Sequence, residues 1–219
     1  MGNELNLLNT HPKTMRDYDK RAREKTPEIV RIAKRFDREF FDGPRDRGYG
    51  GYKYDGRWLD VAKRMRDHYR LRDDAAILDV GCAKGFLLHD FKQLMPSCTV
   101  AGVDVSRYAI DNAMPSVKPF LQVASGEKLP YPDKSFDLVI SINSIHNLPI
   151  DRLKTALREI ERVSRANSFI TIDAWRNETE REQLYKWVLT AETMLHVDDW
   201  KKLFAEVGYT GDYYWFIAD

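Results

Sequence analysis

The chain has 219 residues, of which 43% are hydrophobic and 32% charged, a composition typical of one globular domain that buries its own core. Lys and Arg number 35 against 34 Asp and Glu, and the net charge of +1 argues against a dedicated nucleic-acid-binding protein. Two cysteines without partners at zinc spacing predict neither a disulfide framework nor a structural metal. A polar start and the lack of a long apolar run predict no signal peptide, no membrane span and a cytoplasmic location.

The first 72 residues are highly charged and favour helices. Thr26, Pro27 and Glu28 form a helix start, because a hydroxyl can cap the helix, proline suits its first position and an acid follows. Apolar residues then recur at helical spacing as far as Phe40. A glycine–tyrosine loop at 47–56 precedes a second amphipathic helix. We therefore predict an N-terminal helical cap over 1–72, in which this loop forms a lid.

Residues 73–219 alternate short apolar strands with helices. Strands are predicted at 76–80, 99–105, 120–124, 136–142, 168–174 and 213–218, with helices at 86–95, 106–114, 153–163 and 200–207. This alternation predicts an α/β fold with a Rossmann-like, doubly wound and mostly parallel sheet, in which ligands bind beyond the carboxyl ends of the strands. An insert near 176–195 is expected to shape the ligand pocket.

One segment, 77–88, begins as a buried strand, turns through small residues and opens a helix. Small residues allow a ligand to approach the backbone, and free amides at a helix start can receive a polar or anionic group. The small residues are Gly81, Ala83 and Gly85, with Asp79 two positions ahead. This spacing differs from the nicotinamide and flavin pattern G-x-G-x-x-G, and the Gly-Lys-Ser/Thr of a Walker A loop is absent.

The order of these residues resembles motif I of class I S-adenosylmethionine (SAM)-dependent methyltransferases, with Ala83 where the family usually has its middle glycine. The resemblance implies SAM as cofactor, S-adenosylhomocysteine (SAH) as product, and an antiparallel last strand. Asp104 ends the second strand, where a carboxylate can accept hydrogen bonds from a ribose diol. Residues 124–137 resemble the family's adenine-binding loop, with Ser125 where an Asp is frequent, and 136–147 resemble its fourth strand and active-site turn.

The resemblance therefore implies a set of cofactor-binding residues at the carboxyl ends of the first four strands. They are Asp79, Gly81, Cys82, Ala83, Gly85, Asp104, Val105, Ser125, Gly126, Glu127 and Ser141. Within this set Cys82 has no paired base, so we interpret it as a small packing residue and not as a nucleophile.

The residues that would receive the methyl group are harder to identify, because displacement at a sulfonium mainly requires alignment of the acceptor and exclusion of water. A base is needed only if the acceptor arrives protonated. His146 and Asp173 follow the fourth and fifth strands and are the candidate catalytic bases, although structural roles are equally open to them. The candidate substrate-binding residues are Asn147, Trp175, Tyr49 and Tyr52, the two tyrosines coming from a loop that could instead pack on the surface.

The sequence thus favours a methyltransferase that acts on an oxygen or nitrogen atom of a small metabolite, such as a sugar or an amine. Its expected partner is this small-molecule acceptor, with no nucleic acid and no membrane, and the protein is expected to be a monomer or homodimer. Two alternatives stay open: an RNA or protein methyltransferase, for which neither charge nor length supplies a recognition groove, and a catalytically silent partner subunit with the same fold.

Overall fold

The protein is described by a computed structural model that covers residues 2–10 and 16–218. Within these residues, seven strands form one sheet in the order β3-β2-β1-β4-β5-β6, and β7 also pairs with β5. The strands are β1 (Ala76–Val80), β2 (Thr99–Asp104), β3 (Leu121–Val123), β4 (Phe136–Ile142), β5 (Ser164–Trp175), β6 (Leu195–His196) and β7 (Asp212–Phe216). Because β1 and β4 lie at the centre, with β2 and β5 outside them, the sheet has the doubly wound, Rossmann-like arrangement expected from the sequence.

Nine helices flank the sheet within the described residues. Four precede it: α1 (Tyr18–Glu24), α2 (Pro27–Ala33), α3 (Arg38–Phe41) and α4 (Leu59–Tyr69). The others are α5 (Phe86–Leu94), α6 (Arg107–Asp111), α7 (Ile150–Val163), α8 (Glu178–Trp187) and α9 (Val197–Val207). None of the described helices is both long and apolar enough to cross a membrane.

The last strand differs from expectation in its direction. The register of β7 against β5 runs from the pair Phe169–Asp212 to the pair Asp173–Phe216, which is a parallel pairing. The prediction of an antiparallel last strand is therefore wrong for this pair, whereas the mostly parallel sheet is confirmed. An antiparallel neighbour is usually reached through a hairpin, but here helix α9 precedes β7 and returns the chain to the starting end of the sheet.

The helix predicted from Pro27 onwards is shorter than its hydrophobic pattern. Thr26 Oγ1 accepts a hydrogen bond from the Ile29 amide at 3.2 Å, so the predicted start is confirmed. Phe36 then adopts a φ of +50°, which a helix cannot contain, and α3 restarts beyond it. The break turns Phe36 and Phe40 toward the cavity described below.

The hydrophobic core lies on both faces of the sheet. On one face α7 buries Leu153, Leu157 and Ile160 completely, and on the other α4 and α5 bury Met65 and Phe91. Each such side chain contributes about 1.5–3 kcal/mol when it leaves water. The sheet is thus rigidly held, and the ends of its strands are fixed points for a site.

An ion pair joins the N-terminal helices to the turn after β1. The Lys84 ammonium, which is 7% exposed, lies 2.6 and 2.8 Å from the Asp42 carboxylate oxygens and donates to the Tyr52 carbonyl at 3.0 Å. The Tyr108 hydroxyl donates to the same carboxylate at 2.7 Å. The segment after α3 is therefore attached directly to the residues that follow β1.

Candidate active site

The turn between β1 and α5 is closed by small residues. The amides of Gly81 and Cys82 donate to the Val103 carbonyl at 2.7 and 3.0 Å, which ties the turn to β2. Gly81 has a φ of +86°, and a Cβ at this position would lie 1.9 Å from the Ser144 Oγ. Both the backbone conformation and the lack of space therefore require glycine there.

Ala83 occupies the left-handed region with a φ of +49°, although it carries a Cβ. This conformation costs an L-residue roughly 1–2 kcal/mol. Ala83 also lines the cavity, and its amide donates to the Asp104 Oδ2 at 2.8 Å. Ala83 thus adopts the left-handed backbone conformation that glycine would adopt without strain.

We expect Ala83→Gly to raise the free energy of unfolding by about 0.5–1 kcal/mol, because it relieves this strain and outweighs the added entropy of the unfolded chain. Thermal and urea unfolding would measure the change. The matched variant Ala62→Gly, inside helix α4, should instead lower stability by about 1 kcal/mol. A destabilised Ala83→Gly protein would show that the methyl group packs more favourably than the strain costs.

Two buried carboxylates lie beside the turn. Asp104 at the end of β2 accepts the amides of Ala83 and Ser106, each at 2.8 Å, and burial nevertheless raises its pKa. Asp79 is 5% exposed, and its side-chain carboxylate makes no hydrogen bond within the described part of the chain. Burial, with the charge of Asp104, raises the pKa of Asp79 to about 7. A cationic or hydroxylic ligand group would stabilise this pair of acids.

A cavity of about 300 Å³ opens at the carboxyl ends of the strands, within the size range of small-molecule sites. It brings together ten of the site residues predicted from the sequence. They are Gly81, Ala83, Asp104, Val105, Ser125, Gly126, Tyr49, His146, Asn147 and Asp173. Tyr49 lines the cavity although 45% of its surface is exposed.

The other predicted cofactor residues do not line this cavity. The Ser141 hydroxyl is fully buried and donates to the Val80 carbonyl at 2.8 Å, so it joins β4 to β1. Glu127 forms an ion pair with Arg152 and accepts the Ser125 hydroxyl at 2.8 Å. The remaining three, Asp79 in β1 and Cys82 and Gly85 in the turn, are buried outside the cavity lining, and burial raises the pKa of the Cys82 thiol.

Two predicted substrate residues also lie outside the cavity lining. The Tyr52 ring stacks on Phe86 with a centroid distance of 4.7 Å. Trp175 lies beside Tyr185, with 6.1 Å between the ring centroids. Of the glycine–tyrosine loop, Tyr49 reaches the cavity, whereas Tyr52 fastens the loop to α5.

His146 and Asp173 form a buried pair at the ends of β4 and β5. The Asp173 amide donates to the His146 Nδ1 at 3.1 Å, and the His146 Nε2 lies 3.6 Å from the Asp173 Oδ2. Because Nδ1 accepts a hydrogen bond, the proton of the neutral ring belongs on Nε2. Burial lowers the pKa of His146, against the attraction of Asp173, and burial raises the pKa of Asp173 despite His146 and Arg16.

Asn147 adds an unsatisfied acceptor to the cavity. Its Oδ1 is buried without a hydrogen-bond partner among the described residues. Such an atom costs about 1–3 kcal/mol unless a ligand or water supplies a donor. Asn147 is therefore suited to accept a hydrogen bond from a bound molecule.

Sequence reasoning missed the wall that faces these residues. The cavity is also lined by Arg21 of α1, Arg45 of the loop after α3 and Trp187 at the end of α8, together with the aromatic residues of the cap. The Arg21 Nε donates to the Trp187 carbonyl at 3.3 Å. A charged residue in a highly charged helix gives no local signal that it points inward, so only the tertiary fold reveals this wall.

The structure combines a parallel doubly wound sheet, a tight turn after β1 and a carboxylate ending β2 beside a cavity. These are the features with which Rossmann-like proteins bind nucleotide-type cofactors. Residues 78–172 match the family model described as a methyltransferase domain. Over this segment, which is less than half of the chain, the protein is similar to that methyltransferase family.

Similar proteins include two curated relatives and one solved structure. The chain is 33% identical over 146 residues to the tRNA (carboxymethyluridine(34)-5-O)-methyltransferase of Arabidopsis thaliana, a match that covers 66% of this chain and 34% of that protein. It is 28% identical over 127 residues to the malonyl-(acyl-carrier protein) O-methyltransferase of Legionella pneumophila, covering 56% and 44%. The YcgJ protein of Bacillus subtilis shares the fold with a TM-score of 0.54 at 18% identity, covering 67% and 66%. The chain thus spans about a third to less than half of these two curated relatives.

Proposed function

We propose that the protein transfers the methyl group of SAM to an oxygen or nitrogen atom of a small metabolite by direct in-line displacement. The observation that carries the proposal is that one covered cavity joins the turn after β1 to the His146–Asp173 pair. Helices of the cap line the same cavity, which supports a small acceptor in preference to a large one.

The residues at the β1 and β2 ends fit this cofactor. The Asp104 carboxylate accepts hydrogen bonds from two backbone amides and retains lone pairs that can accept hydrogen bonds from a ribose diol. Asp79 is a buried carboxylate without a hydrogen-bond partner in the described chain, and an ammonium group would satisfy it. When bound, SAM would supply a methyl group on a positively charged sulfur. A lone pair of the acceptor would attack the methyl carbon and displace the sulfur.

On the acceptor side, we assign Asp173 as the base for a protonated acceptor and His146 as a residue that positions it. His146 accepts a backbone amide at Nδ1 and carries its proton on Nε2, so it has no free lone pair for a second proton. Asp173 is buried with a raised pKa, which brings a carboxylate closer to the strength that a general base needs. Asn147 would orient the acceptor through its unpaired Oδ1.

We expect Asp104→Asn to weaken SAH binding at least about tenfold, because an asparagine has only one acceptor atom for the amides of Ala83 and Ser106 and for the ribose. Calorimetric titration of SAH, SAM and NAD would measure this. Asp111→Asn, at an exposed position on α6, is the matched control and should leave the affinity unchanged. Unchanged SAH affinity in Asp104→Asn would remove the ribose contact from the proposal.

The acceptor class is tested with SAM that carries a labelled methyl group. The protein is incubated separately with a small-molecule fraction of a cell extract, with total RNA and with total protein. Label in the small-molecule fraction, lost in Asp173→Asn, is the expected result. Label confined to RNA or protein would overturn the small-metabolite acceptor, and label in no fraction, together with no SAH binding, would favour a silent partner subunit.

Methylation of tRNA is the second candidate function, and one observation favours it. The Arabidopsis thaliana relative is named as a tRNA methyltransferase and is 33% identical to this chain. The near-neutral charge of this chain, +1, weighs against it, because RNA binding usually requires a basic surface. The labelled RNA fraction decides between the two.

A further inference from the structure

The missed wall of the cavity contains an indole ring with guanidinium groups around it. The Cζ atoms of Arg16, Arg21 and Arg45 lie 5.5, 5.3 and 5.6 Å from the centroid of the Trp187 ring. Of these arginines, Arg21 and Arg45 line the cavity together with Trp187. The wall is therefore a rigid aromatic surface with two cations attached to it.

Arg21 is held in place by neutral groups. It is 8% exposed, and its Nη1 donates to the carbonyls of Arg45 and Asp46 at 3.2 and 2.9 Å, in addition to the bond from Nε to Trp187. These bonds use Nε and Nη1, and Nη2 makes no hydrogen bond within the described part of the chain. One end of the guanidinium fork thus remains available to a ligand.

The two arginines lack a carboxylate as a direct partner. Among residues 2–10 and 16–218, neither Arg21 nor Arg45 forms an ion pair with a carboxylate. Burial lowers the pKa of Arg21 and the charge of Arg45 lowers it further, so the two guanidinium groups repel each other, although the more distant Glu24 and Asp46 partly offset this. An anion bound between them would remove this repulsion and gain charge-assisted hydrogen bonds.

The position of the wall connects it with the acceptor half of the cavity. Trp187 ends the helix that follows β5, and the chain then passes His146, whose carbonyl accepts the amides of Glu192 and Thr193 at 3.0 Å. The predicted cofactor residues that line the cavity instead follow β1, β2 and β3, on the other half of the sheet. An anion at the wall would therefore belong to the acceptor.

We propose that Arg45, together with Arg21, binds an anionic carboxylate or phosphate group of the methyl acceptor, separate from the atom that is methylated. The proposal rests on the proposed function and narrows its substrate class from sugars and amines to acids. The reacting atom lies beside Asp173, whose carboxylate would repel a second negative charge there, so the anion and the reacting atom are different groups. A cationic amine would be repelled by both arginines.

The test uses probes of one size and different charge on the SAH-saturated protein. Malonate, malonamide and 1,3-diaminopropane have the same three-carbon length, and inorganic phosphate represents the other anion. Each is titrated by calorimetry at constant low ionic strength into the wild-type protein, Arg45→Gln, Arg45→Lys and Arg72→Gln. Arg72 is the matched control, because its side chain is 82% exposed and the residue precedes β1, at the end of the sheet opposite to the cavity.

We expect malonate or phosphate to bind, and malonamide and diaminopropane not to bind. Arg45→Gln should weaken binding of the anion at least tenfold. Arg45→Lys should recover part of the loss, and Arg72→Gln should change nothing. The preference for malonate or phosphate identifies the anionic group, since a planar carboxylate matches the guanidinium fork differently from a phosphate.

Three results would overturn the proposal. The first is an SAH complex that binds neither anion, and the second is anion binding that survives in Arg45→Gln. The third is a parallel loss of SAH affinity in Arg45→Gln, which would mean that the arginine holds the carboxylate of the cofactor itself. If the wild-type protein does not bind SAH, the proposed function fails and this proposal fails with it. SAH binding without anion binding overturns this proposal alone.

Discussion

Gly81→Ala is expected to abolish measurable binding of SAH and to lower the free energy of unfolding by about 3 kcal/mol. The new Cβ would meet the Ser144 Oγ at 1.9 Å, and the φ of +86° is strained for any residue with a Cβ. Relief of both requires the turn to move away from Val103, whose carbonyl accepts the Gly81 amide. Calorimetric titration of SAH and urea unfolding measure the two effects.

Gly208→Ala is a matched control for this experiment, because its φ of +74° is similar but nothing lies within 4 Å of the added Cβ. It should lose only about 1–2 kcal/mol and keep full SAH affinity. The double variant Gly81→Ala with Ser144→Gly removes the overlap and leaves the strain, so it should recover part of the stability. Equal losses in Gly81→Ala and Gly208→Ala would show that the contact with Ser144 has no effect.

Asp173→Asn is expected to lower kcat by about 100–1000-fold with little change in KM, because general-base catalysis contributes rate enhancements of this order. The active form of a base is deprotonated, so the wild-type kcat should rise with pH through the raised pKa of Asp173. The variant should lose this limb of the profile. Initial rates over a pH series, with the acceptor fraction identified by labelled SAM, provide the measurement.

His146→Phe separates positioning from proton transfer. His146 stabilises the charged form of Asp173, so its removal should raise the pKa of Asp173 further and shift the rising limb to higher pH. Asp199→Asn, at an exposed position, should reproduce the wild-type profile.

If Asp173→Asn retains most of its activity with an unchanged profile, alignment alone drives the transfer and no base is used.

The turn after β1 and the carboxylate of β2 could be predicted because their information is local. The apolar run that contains Asp79 and is followed by Gly81 predicts a strand and then a turn. The strand ends at Val80 as expected. The break at Phe36 could not be predicted, because an aromatic residue in the left-handed region has no sequence signature.

The acceptor half could be predicted only where it follows a strand. His146 and Asp173 were found because the ends of parallel strands meet at one edge of the sheet. Arg21 and Trp187 contact each other across 166 positions of sequence, and neither has a pattern that indicates the other. The direction of β7 also depends on where α9 delivers the chain, which hydrophobic alternation does not encode.

The ion pair between Lys84 and Asp42 makes the cap and the cofactor turn thermodynamically linked. The cap cannot separate from the turn unless a nearly buried ammonium and its carboxylate are both rehydrated. Stabilisation of the turn therefore also stabilises the segment after α3, and stabilisation of that segment stabilises the turn by the same free energy. A ligand that stabilises the turn would in this sense also stabilise the segment after α3, with Lys84 as the residue common to both.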